Sequence, residues 1–384
     1  MTAEQAVLDV QPNGGYDESK VQLLEGVEHI RARPGMYIGD TGAYGLHHLL
    51  YEVVDNSIDE AMAGFCQNIT VTLRGDGGVS VSDDGRGIPV GFKEEYGMSA
   101  LELIMTKTGS GAKFDRNSYK VSAGLHGIGV TAVNALSEWL EVQSLRDGKV
   151  WEMRFERGRT TRPLAARDEA HGRTGTSVAF RPDPQLFSII DFSHETVARR
   201  LREMAYLNSG VRIVLIDERE GQRDEFYFED GIRQFVQHLN EGKDAVHDAI
   251  YFKRDDPQSR LVCEVALQWT DGYNEAALSF ANNINTKEGG THLSGFRAAL
   301  TRVVNNYAKK ANLYKQNDPV PTGDDIREGL TAVISVKVPE PQFESQTKIK
   351  LNNSEVGTFV ETVVGELLGV YLEEHPTEAK RIVQ

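Results

Sequence analysis

The sequence predicts an α/β (α+β) chain in two units, a two-layer sandwich with a mixed sheet followed by a smaller α/β domain. Three observations predict it. Helical and strand periods alternate along most of the chain instead of segregating into blocks. Its 384 residues exceed what one hydrophobic core usually serves. A new amphipathic helix, in "DGIRQFVQHLN", starts just after a set of strands has ended.

Taken in order, residues 1–19 are polar and glycine-containing, an arm with no core of its own. A helical run covers 20–33 and a stronger one 46–63, followed by strands at 69–74 and 78–84. Residues 85–124 read as loop-rich, and a helix begins near Ile128. Strands follow at 138–145, 150–156 and 175–181, the last ended by "RPDP", with more strands around 211–228. These elements set the first unit at 20–230 and the second at 231–384. The second runs through strands near 261–269 and 276–282, a long helix at 291–312, a strand at 329–338 and a helix from about Ser354 to Glu373. The closing "PTEAKRIVQ" has proline and acid at the front of a further helical pattern, which predicts a chain that continues.

The bulk numbers narrow the function. A net charge of −15 excludes a surface that is basic all over, while leaving room for one local basic patch. Cys66 and Cys263 are far apart and in no metal-like spacing, so they read as small buried hydrophobes. No apolar run is long enough to span a bilayer and none near the start is flanked by positive charge, which predicts a cytoplasmic chain without a membrane partner.

The stretch "KVSAGLHGIGVTAVNAL" is a glycine-rich loop feeding a helix, a common way to present backbone amides to phosphate. Its spacing is G-x-x-G-x-G, not that of dinucleotide binders, and the chain has no G-x-x-x-x-G-K-[ST]. In the helix at 46–63, Leu50, Val53, Val54, Ser57, Ile58 and Ala61 share one arc, with His48, Glu52, Asp55, Asn56 and Asp59 opposite. The polar side is either a solvated face or a site. Three carboxylates, an amide and an imidazole in one stripe are what a hydrated Mg²⁺ and a water-activating base require.

In "GGVSVSDDGRGIPVG" the phase of Val79 and Val81 carries Asp83 inward. A buried carboxylate without donors costs on the order of several kcal/mol, so something must donate to it. That partner is either the backbone of its own turn or an amino group on a ligand, such as the exocyclic amine of adenine. Thr176 shares a phase with Val178 and Phe180 and could join the same pocket.

These stretches, in this order, resemble the ATPase family that groups DNA gyrase B, the ninety-kilodalton heat-shock chaperones, sensor histidine kinases and the mismatch-repair ATPase MutL. "EVVDNSIDEA", "DDGRGIP", "GLHGIGVTAVNAL" and "TGTSVAF" are similar to its four boxes. "RPGMYIGDT", "NNINTKEGGTHLSGFR" and "PEPQFESQTKIKLNNSEV" narrow the likeness to the type II topoisomerase ATPase subunits, gyrase type foremost, from about Tyr16 to Gln384. The family continues into a metal-binding, DNA-cleaving region with an "EGDSA"-type motif, so the resemblance implies an amino-terminal ATPase fragment.

The resemblance implies Glu52 as general base, His48 as its assistant and Asn56 as the Mg²⁺ ligand. It implies Asp83 as the adenine reader with Thr176 beside it, and Gly87, Ile88 and Pro89 along the base. The phosphate loop falls on Gly124, Leu125, His126, Gly127, Ile128 and Gly129, with Lys113 and Tyr119 as further nucleotide contacts. Ala112 and Ala123 stand where the family pattern has glycine. Gln346 and Lys348 of "QTK" match a loop of the second, transducer domain that reaches the γ-phosphate, where a fixed ammonium opposes the charge that develops in hydrolysis. Tyr16 matches a residue that closes the pocket of the partner protomer, implying a homodimer held through the arm when ATP is bound. Glu60, Arg86 and Arg146, with Asp83 and Thr176, match the positions that aminocoumarin inhibitors contact.

From Gly289 to Asn317 there is no acidic residue, while Arg297, Arg302, Lys309, Lys310 and Lys315 are present. The apolar stripe of Leu293, Phe296, Leu300, Val303, Val304, Tyr307 and Ala311 leaves Arg302 and Lys309 on the far side and Arg297 at its flank. This is either a solvated helix face or a track for double-stranded DNA with salt-sensitive phosphate contacts. The function expected is an ATP-hydrolysing clamp that acts with gyrase A on DNA. The alternatives are the topoisomerase IV counterpart and an ATP-gated dimerisation module with little turnover.

Overall fold

The computed structural model describes residues 23–111, 121, 122, 124, 127–314, 319–345 and 348–384. Among them the first unit is built on one sheet of eight strands. These are β1 (Asn68–Leu73), β2 (Val79–Asp83), β5 (Ser137–Arg146), β6 (Lys149–Glu156), β7 (Arg159–Glu169), β8 (Gly175–Pro182), β9 (Arg212–Asp217) and β10 (Gln222–Phe226). Their order across the sheet is β10-β9-β1-β2-β8-β5-β6-β7. All neighbours are antiparallel except β1 and β9, so the sheet is mixed as expected. A short ribbon, β3 (Phe92–Lys93) with β4 (Met98–Ser99), stands apart.

Helices α3 (Ala43–Met62), α5 (Gly129–Ala135) and α6 (His194–Leu207) pack on the sheet. Leu46, Leu49, Leu50, Val53, Val54 and Ile58 of α3 are buried in one core with Val71, Val81, Val142, Val178 and Phe180. The alternation of the strands is what places those residues on one face. Two smaller helices, α1 (Gly26–Ala32) and α2 (Gly35–Ile38), lead into α3.

The second sheet has five strands: β11 (Ile250–Asp255), β12 (Val262–Trp269), β13 (Ala276–Ala281), β14 (Ile284–Asn285) and β15 (Leu330–Lys337), in the order β11-β12-β15-β13-β14. Helices α8 (Thr291–Lys310) and α10 (Ser354–Glu374) share a core with Cys263, Val265, Leu267, Ile334 and Val336. Helix α7 (Ile232–Leu239) takes the opposite face through Phe235 and Val236 against Ala266, Phe280 and Val333. The same cluster includes Tyr206 at the end of α6, whose ring is stacked between Phe228 at 3.7 Å and Phe235 at 4.7 Å. An aromatic stack therefore joins the two units. Short α9 (Gly323–Arg327) and terminal α11 (Pro376–Val383) complete the second unit.

The structure corrects the sequence reading in several places. The stretch read as loop-rich, 85–124, contains α4 (Ala100–Thr106), whose N-cap Ser99 accepts from the Glu102 N–H. The helix read at 46–63 begins at Ala43, and that at 20–33 is described as Gly26–Ala32. Strand β7, helix α6 and strand β11 are elements that the sequence reading lacks. Cys66 and Cys263 are free and buried, as their type suggests.

Candidate active site

The polar side of α3 is partly covered: His48, Glu52, Asp55 and Asn56 are half-buried and Asp59 is fully buried. Asp59 accepts from the Ser122 hydroxyl at 2.8 Å and the Gly124 N–H at 3.3 Å. Asp55 is half-buried, and its pKa is pushed up to about 6 by burial, with the charges of Glu52 and Asp59 adding and those of Arg200 and Lys348 opposing. Four residues before Glu52, His48 brings Nε2 to 3.2 Å from Glu52 Oε1, while Tyr44 stacks on the other side of the imidazole at 6.1 Å.

Helix α5 crosses close to this carboxylate. A Cβ at residue 129 would stand 2.0 Å from Glu52 Oε2, so glycine lets the start of α5 approach the carboxylate without pushing it aside. The glycine-rich stretch therefore brings the first turn of a helix, with its unpaired amides, against the candidate base.

Asp83 closes β2 opposite Thr176 of β8. It accepts from the Ser57 hydroxyl at 2.7 Å, the Gly85 N–H at 3.0 Å and the Thr176 N–H at 3.1 Å. Burial raises its pKa and these three donors oppose the rise. The turn bond to Gly85 and the inward placement are both present. Ser57, which sequence pattern puts with the apolar arc, is the donor that periodicity could not reveal.

Beyond Asp83 the chain turns at Gly87, where φ is 77° and a Cβ would lie 2.7 Å from the Leu145 carbonyl. Arg86 makes a forked pair with Glu60, Nη2 to Oε1 at 2.8 Å and Nε to Oε2 at 3.0 Å, and its guanidinium lies 4.0 Å above the Phe65 ring. Arg146 donates to the Gly87 carbonyl at 2.8 Å.

These groups surround one cavity of about 300 Å³, within the range of small-molecule sites. Glu52, Asn56, Glu60, Asp83, Arg86, Arg146 and Thr176 line it, as do Gly87, Ile88, Pro89, Gly124, Gly127, Ile128 and Gly129. Lys348 lines it too, although it comes from the connection between β15 and α10 in the second unit, where its φ is 57°. Tyr16, Lys113, Tyr119, Leu125, His126 and Gln346 lie outside the described residues.

The basic residues of α8 are largely neutralised. Arg297 donates to Glu275 at 2.7 Å, and Arg327 takes the other oxygen of that carboxylate at 3.1 Å. Arg302 pairs with Glu361 of α10, and Lys310 with Glu373 at 2.6 Å. Lys309 is exposed.

Comparison with known proteins fits this geometry. Residues 42–186 match the family described as histidine kinase-, DNA gyrase B-, and HSP90-like ATPase, and residues 231–384 match that described as DNA gyrase B. The solved 43K ATPase domain of Thermus thermophilus gyrase B, in complex with an aminocoumarin, is 43% identical with a TM-score of 0.80, covering 93% of this chain and 92% of that one. The chain belongs to the DNA gyrase B family.

Gyrase B of Clostridium acetobutylicum is 48% identical over 373 residues, 97% of this chain and 58% of that protein. That of Haloferax volcanii is 53% identical over 372 residues, 96% and 58% respectively. The chain thus spans about three-fifths of the length of these gyrase B relatives. The ATP-binding domain of Francisella tularensis topoisomerase IV is similar in fold, with a TM-score of 0.78, but only 33% identical, covering 94% of this chain and 96% of that one.

Proposed function

We propose that this gyrase B chain binds ATP in the cavity and hydrolyses it, and that the ATP-bound state closes a homodimer around a DNA duplex. In the complete enzyme, with gyrase A, this cycle drives strand passage and negative supercoiling in the cytoplasm. No helix among the described residues is long and apolar enough to cross a membrane. Residues 20–230 are the ATPase domain, 231–384 the transducer, and the arm at 1–19, with Tyr16, reaches the partner protomer.

The observation that carries this reading is that Glu52, held from behind the cavity wall by His48, meets Gly129 and Lys348 on one cavity, although they come from two units. Glu52 takes a proton from the attacking water, and His48 holds one of its oxygens so that the other faces the start of α5. Amides at Gly127 and Gly129 receive the phosphates, joined by Leu125, His126, Lys113 and Tyr119, while the Gly124 N–H, held by Asp59 and Ser122, shapes the loop beside them. Lys348, with Gln346 beside it, meets the negative charge that spreads over the transferred group. Asp83 accepts from the amine of adenine, with Thr176 beside it.

The amide of Asn56, one turn from Glu52, is the group that would hold Mg²⁺. Among the described residues no three His, Cys, Asp or Glu side chains form a metal cluster. When bound, the ion supplies neutralisation of the triphosphate charge. Aminocoumarins are expected at the Asp83 end of the cavity, on Glu60, Asp83, Arg86, Arg146 and Thr176. Arg297, Arg302 and Lys309 are the proposed DNA contacts.

The test is ATP turnover with Mg²⁺ as a function of protein concentration, with Glu52→Ala alongside. Specific activity that rises with concentration, and an inactive variant, are expected. A wild type that binds ATP and does not turn it over at any concentration would leave only the dimerisation module.

A further inference from the structure

Two segments that approach the phosphate end of the cavity from different units meet on one side chain. Asn282 and Asn283 form the tip between β13 and β14, with φ of 48° and 66°, a left-handed conformation that asparagine adopts more readily than most residues. Asn282 is fully buried. Its Oδ1 accepts from the Val338 N–H at 2.7 Å, while Nδ2 donates to the Val338 carbonyl at 2.9 Å and to the Ser122 carbonyl at 2.9 Å.

Each partner leads to a different part of the site. Val338 directly follows β15 and opens the connection that carries Lys348. Ser122 leads into the glycine-rich stretch, and its hydroxyl is clasped by Asp59 together with the Gly124 N–H. One amide therefore ties the root of the Lys348 loop to the entrance of the phosphate-facing segment. Asn283 does something else. Its Nδ2 reaches Asn208 Oδ1 at 3.1 Å and Met62 Sδ at 3.2 Å, and its carbonyl accepts from Arg200 at 3.2 Å. Those contacts dock the turn on α3 and α6 and touch neither segment.

We infer that Asn282 is a positioning residue for ATP hydrolysis: it fixes the spacing between the glycine amides that receive the phosphates and the ammonium of Lys348. The inference rests on the ATP-hydrolysing reading of the cavity. A buried carbonyl that loses its donor is costly to leave in place, so without the Asn282 amide the Ser122 segment relaxes towards water and the spacing is lost. The base-binding end, built on Asp83, Ser57 and Thr176, does not depend on this amide.

Three variants of the full chain test it. Asn282→Gly keeps the left-handed backbone and deletes the amide. Asn282→Asp keeps shape and acceptor but cannot donate when ionised. Asn283→Gly alters the same turn without touching Ser122 or Val338. For each, kcat and KM for ATP would be measured, with the affinities for a non-hydrolysable ATP analogue and for an aminocoumarin.

Both Asn282 variants should lose about tenfold or more in kcat and in analogue affinity, as expected for a buried hydrogen bond left unmade, with aminocoumarin affinity unchanged. Asn283→Gly should keep the wild-type ratio of the two affinities. Wild-type kinetics in Asn282→Asp, or parallel loss of both ligands in all three variants, would overturn the assignment, as would failure of both Asn282 variants to fold. Failure of the ATPase reading would look different, because the wild type itself would bind ATP and the analogue without turning ATP over at any concentration.

Discussion

His48 and Glu52 face each other across one turn of α3, with Nε2 3.2 Å from Oε1. The second oxygen of Glu52 faces a place where residue 129 has room for no side-chain carbon. Glu52→Gln is expected to lower kcat by ~10²–10⁴-fold, the usual contribution of a positioned base, while analogue binding is kept. Gly129→Ala should reproduce that loss without altering the carboxylate, because the added carbon displaces it. Steady-state turnover beside equilibrium binding separates the two effects, and a Gly129→Ala chain with wild-type kcat would count against this placement.

Ser57 supplies the shortest of the three donors to Asp83. Ser57→Ala should raise the Asp83 pKa further and lower stability by about 1.5–3 kcal/mol, the scale for a hydrogen bond to a charged group. Urea unfolding of the variant at neutral pH measures it. A change of a few tenths of a kcal/mol would mean that water replaces the hydroxyl without penalty.

His292 is fully buried in α8, with Nε2 3.0 Å from the Thr286 hydroxyl, and burial pulls its pKa down to about 4 from an ordinary 6.5. The unfolded chain then binds more protons than the folded one between these values, so stability rises with pH across this window. Its contribution is fully present above pH 6.5 and is lost as pH falls through about 4. The loss amounts to roughly 3 kcal/mol at 1.36 kcal/mol per unit. His292→Gln should flatten that part of the stability profile, which melting temperatures from pH 4 to 8 would record.

Arg297 and Arg302 are matched by Glu275 and Glu361, so any DNA phosphate must compete with a carboxylate already in place. Glu275→Gln is expected to tighten duplex binding and steepen its salt dependence, whereas Lys309→Ala should reduce the slope of log K against log salt by roughly one contact. Titration of a short duplex at several salt concentrations tests both. An unchanged slope in Lys309→Ala would remove that residue from the interface.

Sequence reveals an element where its periodicity is strong and its surroundings are simple. Helix α3 is legible because its two faces differ sharply, and the inward phase of Asp83 follows from strand alternation alone. Strand β7 is not, because most of "RTTRPLAARDE" is exposed at the sheet edge and does not alternate. Helix α6 does leave a signal that the sequence reading misses, Ser193 as N-cap before Val197, Leu201 and Met204. Seven-residue α4 is too short for periodicity to distinguish from the loops around it.

Within the site, partnerships between distant segments are the hidden part. The Ser57–Asp83 bond depends on how α3 lies over β2, and the Asp59 clasp on where Ser122 falls, neither of which any local pattern encodes. Family resemblance, not spacing, draws notice to Lys348. Nothing in "NNIN" indicates that the first asparagine meets the Ser122 carbonyl 160 positions away in sequence.

Lys348 enters the cavity from chain made long after Glu52, Asn56 and Asp83. Domains generally fold in the order in which the ribosome releases them. On the role proposed for this lysine, a nascent chain would therefore acquire its nucleotide pocket well before it could use the nucleotide at full rate. Wasteful hydrolysis on the ribosome would be avoided without a separate inhibitor, simply through the position of one cation in the reading frame.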